Sequence, residues 1–236
     1  MPAIPSTGSS IPAGAPRSWS PGPADPRLEK GAVHIWRAEL QAVDDELGQL
    51  LSKEERARAE RLLSQGARER WVRCRGVLRA LLGRYLQLDP RDLEFSLGEH
   101  GKPTLDTPGA GPLQFNLSHS GEIALYAVSD AGTVGIDVET ARRRVDELGV
   151  AARVLGDAEA ARLGDLDPET RIGEFLRAWV LHEAAIKCRG AGLGRPSEGS
   201  PAREQWTAEL VVGPGAAAAV VAERRPSQLD LWEWSG

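Results

Sequence analysis

Hydrophobic and polar positions change their period along the chain, and the changes predict the elements. Val33, Ile35 and Arg37 alternate with His34, Trp36 and Ala38, the two-residue period of a strand. Ser52 followed by Glu55 is a capping box, opening a helix that runs to about Leu63. Trp71, Leu78, Leu81, Leu82 and Tyr85 fall near helical spacing and predict a helix over Ala67–Leu86, stopped by Asp89-Pro90. Short strands follow at Leu93–Leu97, Leu113–Leu117 and Ile123–Val128, between Gly- and Pro-bearing turns. The order then starts again. Val134–Glu139 reads as a strand, Val145–Leu163 as broadly helical despite Gly149 and Gly156, and Ile172–Cys188 as a stronger helix. Trp206–Val212, Ala218–Glu223 and Leu229–Trp234 read as strands. Strand, two helices and three strands thus occur twice, displaced by about 100 residues, without clear identity between the copies. The repeated order predicts an α+β fold of two similar lobes, residues 31–132 and 133–236, related by a pseudo-two-fold with a ligand cleft between them. Residues 1–30, rich in Pro, Ser, Ala and Gly and lacking an apolar period, are expected to form a disordered tail outside the fold.

Composition narrows the function classes. With 236 residues, 41% of them apolar, the chain can bury a sizeable core. A net charge of −5 speaks against a general nucleic-acid binder, so no nucleic-acid partner is expected. No run approaches the roughly 18 apolar residues of a membrane span, and the first residues lack the basic start and apolar centre of a secretory signal. Cys74 and Cys188 make neither a disulfide framework nor a Cys-rich metal site. The expectation is a cytoplasmic protein with no membrane partner. Of 29 basic residues only Lys30, Lys53, Lys102 and Lys187 are lysine, which draws attention to a lysine kept where arginine is the habit.

Three segments offer chemistry. In Val134-Gly135-Ile136-Asp137-Val138-Glu139 the apolar residues face one way and Gly135, Asp137 and Glu139 the other. Two carboxylates at i and i+2 can converge on one cation; two solvated acids on an edge strand is the alternative. In the helix around Phe175–Lys187, Phe175, Trp179, Glu183 and Lys187 share an i, i+4 stripe that opens with two aromatics and so reads as buried. Glu183–Lys187 can be a plain intrahelical ion pair, or Glu183 can join Asp137 and Glu139 around Mg²⁺ completed by substrate phosphates. Glu99-His100-Gly101-Lys102-Pro103 and Phe115-Asn116-Leu117-Ser118-His119-Ser120 supply a cation on a turn, hydroxyls and an imidazole for phosphate oxygens, or else ordinary polar turns. The helix with Arg68, Arg70, Arg73, Arg75 and Arg79 presents a mostly solvated basic face from which some side chains can turn inward to phosphate. A Ser-His-Asp triad, an H-E-x-x-H zinc motif and a P-loop are all absent.

Taken in order, Gly101-Lys102-Pro103, Phe115-Asn116-Leu117-Ser118-His119-Ser120, Val134-Gly135-Ile136-Asp137-Val138-Glu139 and Trp179-x-x-x-Glu183-Ala184-x-x-Lys187, closed by Gly190-Ala191-Gly192-Leu193, resemble the Sfp-type 4′-phosphopantetheinyl transferases. The resemblance implies a monomer that moves the phosphopantetheine arm of coenzyme A onto a serine of an apo acyl, peptidyl or aryl carrier domain, releasing adenosine 3′,5′-bisphosphate. It implies Asp137, Glu139 and Glu183 as ligands of Mg²⁺, or of Mn²⁺ in its place, and Lys187, Ser118 and His119 at the CoA phosphates. Lys102 and Pro103 match the turn beside the adenosine end, Arg75 the arginine on the 3′-phosphate, and Arg58 an upstream phosphate-binding cation at a different spacing. Glu159 sits where some members carry a Glu proposed to take the serine proton, with Glu183 or a metal-bound water as competitors. Two departures stand out: Val154 and Leu155 replace the usual aromatics before that Glu, and His182 replaces the Lys that usually precedes Glu-Ala. His182 is the best support for the alternative reading, a non-catalytic CoA- or carrier-binding relative. The carrier, the pathway and the tolerance for acyl-CoAs are not written in these motifs.

Overall fold

The computed structural model describes residues 18–98, 103–141, 146–190 and 205–236. In chain order these form β1 (Ser20–Pro21), β2 (Ala32–Glu39), α1 (Lys53–Glu60), α2 (Gln65–Leu86), β3 (Phe95–Leu97), β4 (Pro103–Leu105), β5 (Gln114–Ser120), β6 (Ile123–Ser129) and β7 (Val134–Thr140). They continue as α3 (Glu147–Val154), α4 (Asp157–Gly164), α5 (Pro168–Arg189), β8 (Trp206–Leu210), β9 (Ala216–Ala222) and β10 (Gln228–Glu233). The mixed α+β character matches the expectation.

Two larger sheets, each covered by one long helix, frame the described residues beside a two-stranded ribbon of β3 and β4. The five-stranded sheet has the order β1-β10-β2-β6-β5, and the three-stranded sheet β7-β9-β8. Strand alternation puts Val33, Ile35, Leu125 and Ala127 of the first against Val134, Ile136, Val138 and Val220 of the second in one core. On the outer face of the five-stranded sheet Trp36, Ala124 and Tyr126 pack against Leu78, Leu81 and Leu82 of α2. On the outer face of the other sheet Ala219 and Val221 pack against Val180, Ala184 and Cys188 of α5. The close seat of α5 requires Gly135: a Cβ there would stand 2.0 Å from the Ala184 carbonyl oxygen.

The capping box is present, with Ser52 Oγ accepting the Glu55 N–H and Glu55 returning a bond to the Ser52 N–H. Asp167 caps α5 and Pro168 starts it, four residues earlier than the periodicity indicates. Four further readings are corrected. The helix expected over Val145–Leu163 is two, α3 and α4, because Gly156 at φ 101° breaks the path between them. Pro103, read as a turn, opens β4 opposite Leu97 in a two-stranded ribbon, a place where a missing N–H costs no ladder bond. The last strand, expected among the strands of residues 133–236, instead runs parallel to β2. Part of the segment expected to be a tail also belongs to the fold: Ser20–Pro21 pairs parallel with β10, Leu28 packs on the core, and Gly22 lies so close to the Trp36 ring that a Cβ would not fit. Among the described residues no helix is long and apolar enough to cross a membrane.

Candidate functional site

A cleft of about 900 Å³ opens between the α1–α2 side of the molecule and the end of α5. One wall is basic. Arg75 and Arg79 lie one helical turn apart on α2 and both turn inward to Glu55 of α1, whose Oε1 accepts from Arg75 Nε and Oε2 from Arg79 Nε, each at 2.6 Å. Arg79, only 2% exposed, also donates to the carbonyls of Pro90 and Leu93. Burial alone would raise the Glu55 pKa; the Ser52 N–H and the two guanidinium groups outweigh it and hold the carboxylate below its ordinary range. Both guanidinium groups lie over the Phe95 ring, 4.5 and 5.1 Å from its centroid. Arg58 and Arg61 also line this side. The remaining arginines of the basic helix face follow the solvated reading: Arg73 pairs with Asp45 and Arg70 with Glu122.

On the other side His119 and Lys187 line the cleft, and the acids stand next to Lys187 without lining it themselves. Asp137 on β7 is 4% exposed and Glu183 on α5 is 8% exposed, while Glu139 is half-buried. Lys187, one turn beyond Glu183, reaches Asp137 Oδ1 at 2.6 Å, Ser118 Oγ at 3.1 Å and the Ile136 carbonyl at 3.3 Å. Ser118 donates to the same Asp137 oxygen at 2.7 Å, and Ser120 to Glu139 Oε2 at 2.8 Å. Two oxygens are left over. Asp137 Oδ2 and Glu183 Oε1 are buried and accept no hydrogen bond. The Glu183 pKa is raised, by burial first and then by the Asp137 charge, with Lys187 opposing and Glu139 adding to the rise. The Phe175 and Trp179 rings, 6.0 Å apart, stack at the start of the same stripe, as its periodicity requires.

Among the described residues no three carboxylate, imidazole or thiol side chains converge on a common point as metal ligands. The donor set nevertheless suits a hard cation: all-oxygen, with two buried acceptor atoms lacking partners beside a third carboxylate. Mg²⁺ uses one or two carboxylates together with waters and substrate phosphates, so a site left open on the cleft side is the form such a cation takes.

Arg58, Arg75, Pro103, His119 and Lys187 all line the one cleft, so the structure brings these residues together. Ser118 joins them through Lys187 and Asp137. Lys102 lies outside the described residues, as do Glu99, His100, Gly101 and residues 191–193. Glu159 is elsewhere. It does not line the cleft, and both of its oxygens accept from Arg162, which also holds Glu174. His182 is half-buried near the Trp179 ring, and burial, then Arg189, lower its pKa. Sequence reasoning included Arg79 among the arginines that can turn inward but missed Glu55, which holds it. The signal for Glu55 was present in the capping box, but that motif accounts for a carboxylate at a helix start without pointing to a cleft.

A cleft lined by several arginines and Lys187, beside buried acids that keep two unpartnered oxygens, has the chemistry to receive phosphate oxygens. Comparison with known proteins narrows that reading. Residues 133–214 match the 4′-phosphopantetheinyl transferase superfamily, and residues 35–131 match the 4′-phosphopantetheinyl transferase N-terminal family. Over 185 residues the chain is 36% identical to the 4′-phosphopantetheinyl transferase HetI of Nostoc sp., covering 77% of this chain and 78% of that protein. It is 30% identical over 165 residues to the 4′-phosphopantetheinyl transferase Sfp of Bacillus subtilis, 70% of this chain and 71% of that one. It is 39% identical over 112 residues to the 4′-phosphopantetheinyl transferase AcpT of Salmonella typhimurium, 48% of this chain and 56% of that one. The chain belongs to the Sfp-type 4′-phosphopantetheinyl transferase family.

Proposed function

We propose that the protein transfers the 4′-phosphopantetheine arm of coenzyme A to a serine of an apo carrier protein, releasing adenosine 3′,5′-bisphosphate. The observation that carries this reading is the pairing, in a member of this family, of an arginine wall with buried acids that keep two oxygens unpartnered. The two halves, residues 31–132 and 133–236, are read as lobes related by a pseudo-two-fold, with β10 returned to the first sheet. The protein is read as a cytoplasmic monomer.

In this reading Asp137, Glu139 and Glu183 hold Mg²⁺, or Mn²⁺ in its place. The cation, when bound, neutralises the pyrophosphate oxygens as the phosphoanhydride bond breaks. Lys187 hydrogen-bonds Asp137 and Ser118 and stands at the edge of the cleft, where an ammonium can follow the developing phosphate charge. Ser118 and His119 orient phosphate oxygens from the end of β5. Arg75, with Arg58, Lys102 and Pro103, takes the adenosine end. Its Nε is fixed by Glu55, so the guanidinium plane is oriented before a ligand arrives. The carrier serine attacks the β-phosphate of CoA, its Oγ–P bond forming as the bond to the bridging oxygen breaks. The adenosine 3′,5′-bisphosphate leaves with that oxygen, and the serine proton passes to a base. Incubation with CoA, Mg²⁺ and an apo carrier domain tests the reading by intact mass. A carrier heavier by one phosphopantetheine arm is expected, and an unchanged carrier in the presence of bound CoA points to the non-catalytic relative.

A further inference from the structure

The strands β5 and β7 lie side by side without a backbone ladder, since β5 pairs with β6 and β7 with β9. A row of β5 side chains joins them instead. Asn116 Oδ1 accepts the Ile136 N–H at 2.9 Å. Ser118 Oγ donates to Asp137 at 2.7 Å. Ser120 Oγ accepts the Thr140 N–H at 3.1 Å and donates to Glu139 at 2.8 Å. Residues 116, 118 and 120 share one face of a strand, so the row follows from strand geometry. Asn116 and Ser120 are 4% and 1% exposed. Their two anchor points on the β7 backbone, Ile136 and Thr140, bracket Asp137-Val138-Glu139.

A ladder fixes register with many equivalent bonds; here two buried side chains replace it, and each has one acceptable partner position. Loss of either frees one end of the acid tripeptide. A slip of one residue would turn both acids away from Ser118, Ser120 and Lys187. We infer that Asn116 and Ser120 are positioning residues for the reaction: they fix the acid strand against the phosphate-side strand, and so set where Asp137 and Glu139 stand relative to Ser118 and His119. The inference rests on the functional reading above. It extends that reading to two buried residues that act through the backbone of β7 and through Glu139. Groups that orient ligating carboxylates change metal affinity when removed, even where they never touch the metal.

The test compares the parent chain with Ser120→Ala and Asn116→Ala. Mn²⁺ binding is followed by electron paramagnetic resonance in the presence of CoA, and CoA binding by calorimetry in EDTA. Ser129→Ala is the control, because Ser129 is equally buried but its Oγ serves only the Ala131 N–H. Both site variants should weaken Mn²⁺ by about tenfold or more, while for Ser120→Ala, whose residue does not line the cleft, CoA affinity in EDTA stays within about twofold, the size of an unrelated substitution. The control should lower the melting temperature and leave both affinities alone. A purely structural role for Ser120 and Asn116 would give the control's pattern, and would overturn the inference. Should Asn116→Ala not fold, Ser120→Ala decides alone. A parent chain that binds CoA but transfers nothing overturns the functional reading and this inference with it. A parent that transfers, with Ser120→Ala binding Mn²⁺ normally, overturns the inference only.

Discussion

The two walls of the cleft are carried by helices of the same length, α2 and α5 with 22 residues each, and each helix lies over the outer face of its own sheet. They solve the problem of buried charge in opposite ways. On the α2 side the two inward arginines of the helix already have a counter-ion: Arg75 and Arg79 share Glu55, and Phe95 covers both. That wall is charged and held before anything binds. On the α5 side one ammonium serves the acids, Lys187 on Asp137, and two carboxylate oxygens remain unpartnered. In the proposed reading that side is completed by the cation it binds. The seats differ as well. The α5 helix turns its small residues Ala184 and Cys188 onto Gly135 and Ala219 of its sheet, whereas α2 is joined to its sheet partly through polar aromatics. Tyr85 of α2 accepts a hydrogen bond from Trp36 at 2.8 Å and meets His34 Nδ1 at 2.7 Å, and Tyr126 donates to the Cys74 carbonyl.

The largest effect should follow from breaking the incomplete wall. Asp137→Ala should reduce transfer by about 10³-fold or more, the loss of several kcal/mol of charge stabilisation, with the circular dichroism of the parent retained. EDTA should do the same to the parent. Normal turnover by either route would remove the acids from the reaction and leave them as partners of Lys187.

Acid should loosen the α2 seat before the α5 seat. His34 is 3% exposed at its side chain, and burial takes its pKa down to about 4, although Asp230 at 3.4 Å from Nε2 favours the charged ring. The ring is neutral in the folded chain, while the unfolded chain binds its proton below about 6.5. Stability is therefore fully present above pH 6.5 and falls as pH drops from there toward 4, by up to about 3 kcal/mol for this group. Urea midpoints at pH 7.5 and 4.5 measure it. His34→Gln should flatten the difference between the two midpoints; a variant with the parent's slope would assign the acid sensitivity to other groups.

On the complete wall the loss should be smaller and selective. Arg75→Ala removes a cation already neutralised in part by Glu55, so about 1.5 to 3 kcal/mol of CoA affinity is at stake if it meets the 3′-phosphate. Dephospho-CoA should bind the variant nearly as it binds the parent. Equal losses for both ligands would place Arg75 at another part of CoA.

How much of this was legible depended on how local the determinant is. The alternation in Val134–Glu139 placed the apolar residues in the core and turned the acids to the other face, toward Ser118, Ser120 and Lys187, and the i, i+4 stripe from Phe175 to Lys187 aligned Glu183 with Lys187, because each pattern lies within one element. Glu55 was hidden, since its partners Arg75 and Arg79 come from a different helix 20 and 24 residues later. The parallel pairing of β10 with β2 joins residues nearly 200 positions apart, and no local period encodes that. The same limit applies to β1: a Pro-rich stretch reads as a tail until the sheet edge it covers is known. Family resemblance supplied roles for residues whose geometry the periodicity left open, and for Glu159 it supplied a role that the packing does not favour.

Glu159 gives the smallest expected effect. A carrier serine needs a base, and a well-placed one is worth about 10² to 10⁴-fold. To serve, Glu159 would have to leave Arg162, whose Nε and Nη2 donate to its two oxygens at 2.7 to 3.2 Å, and α4 would have to carry it to a cleft it does not line. Arg162 is tied further to Glu174 on α5, so the pair is part of the contact between the two helices. With both oxygens engaged by Arg162 and no place on the cleft lining, Glu159 is badly placed to meet a serine there. Glu159→Gln should therefore change the single-turnover rate by no more than about twofold between pH 6 and 9, within the range of an ordinary partly exposed substitution. Its main cost should be a slightly lower melting temperature from the weakened α4–α5 contact. A tenfold slowing with unchanged CoA and metal affinity would mean that Arg162 releases Glu159 in the ternary complex. Arg162→Ala, which frees the carboxylate in advance, should then transfer at least as fast as the parent.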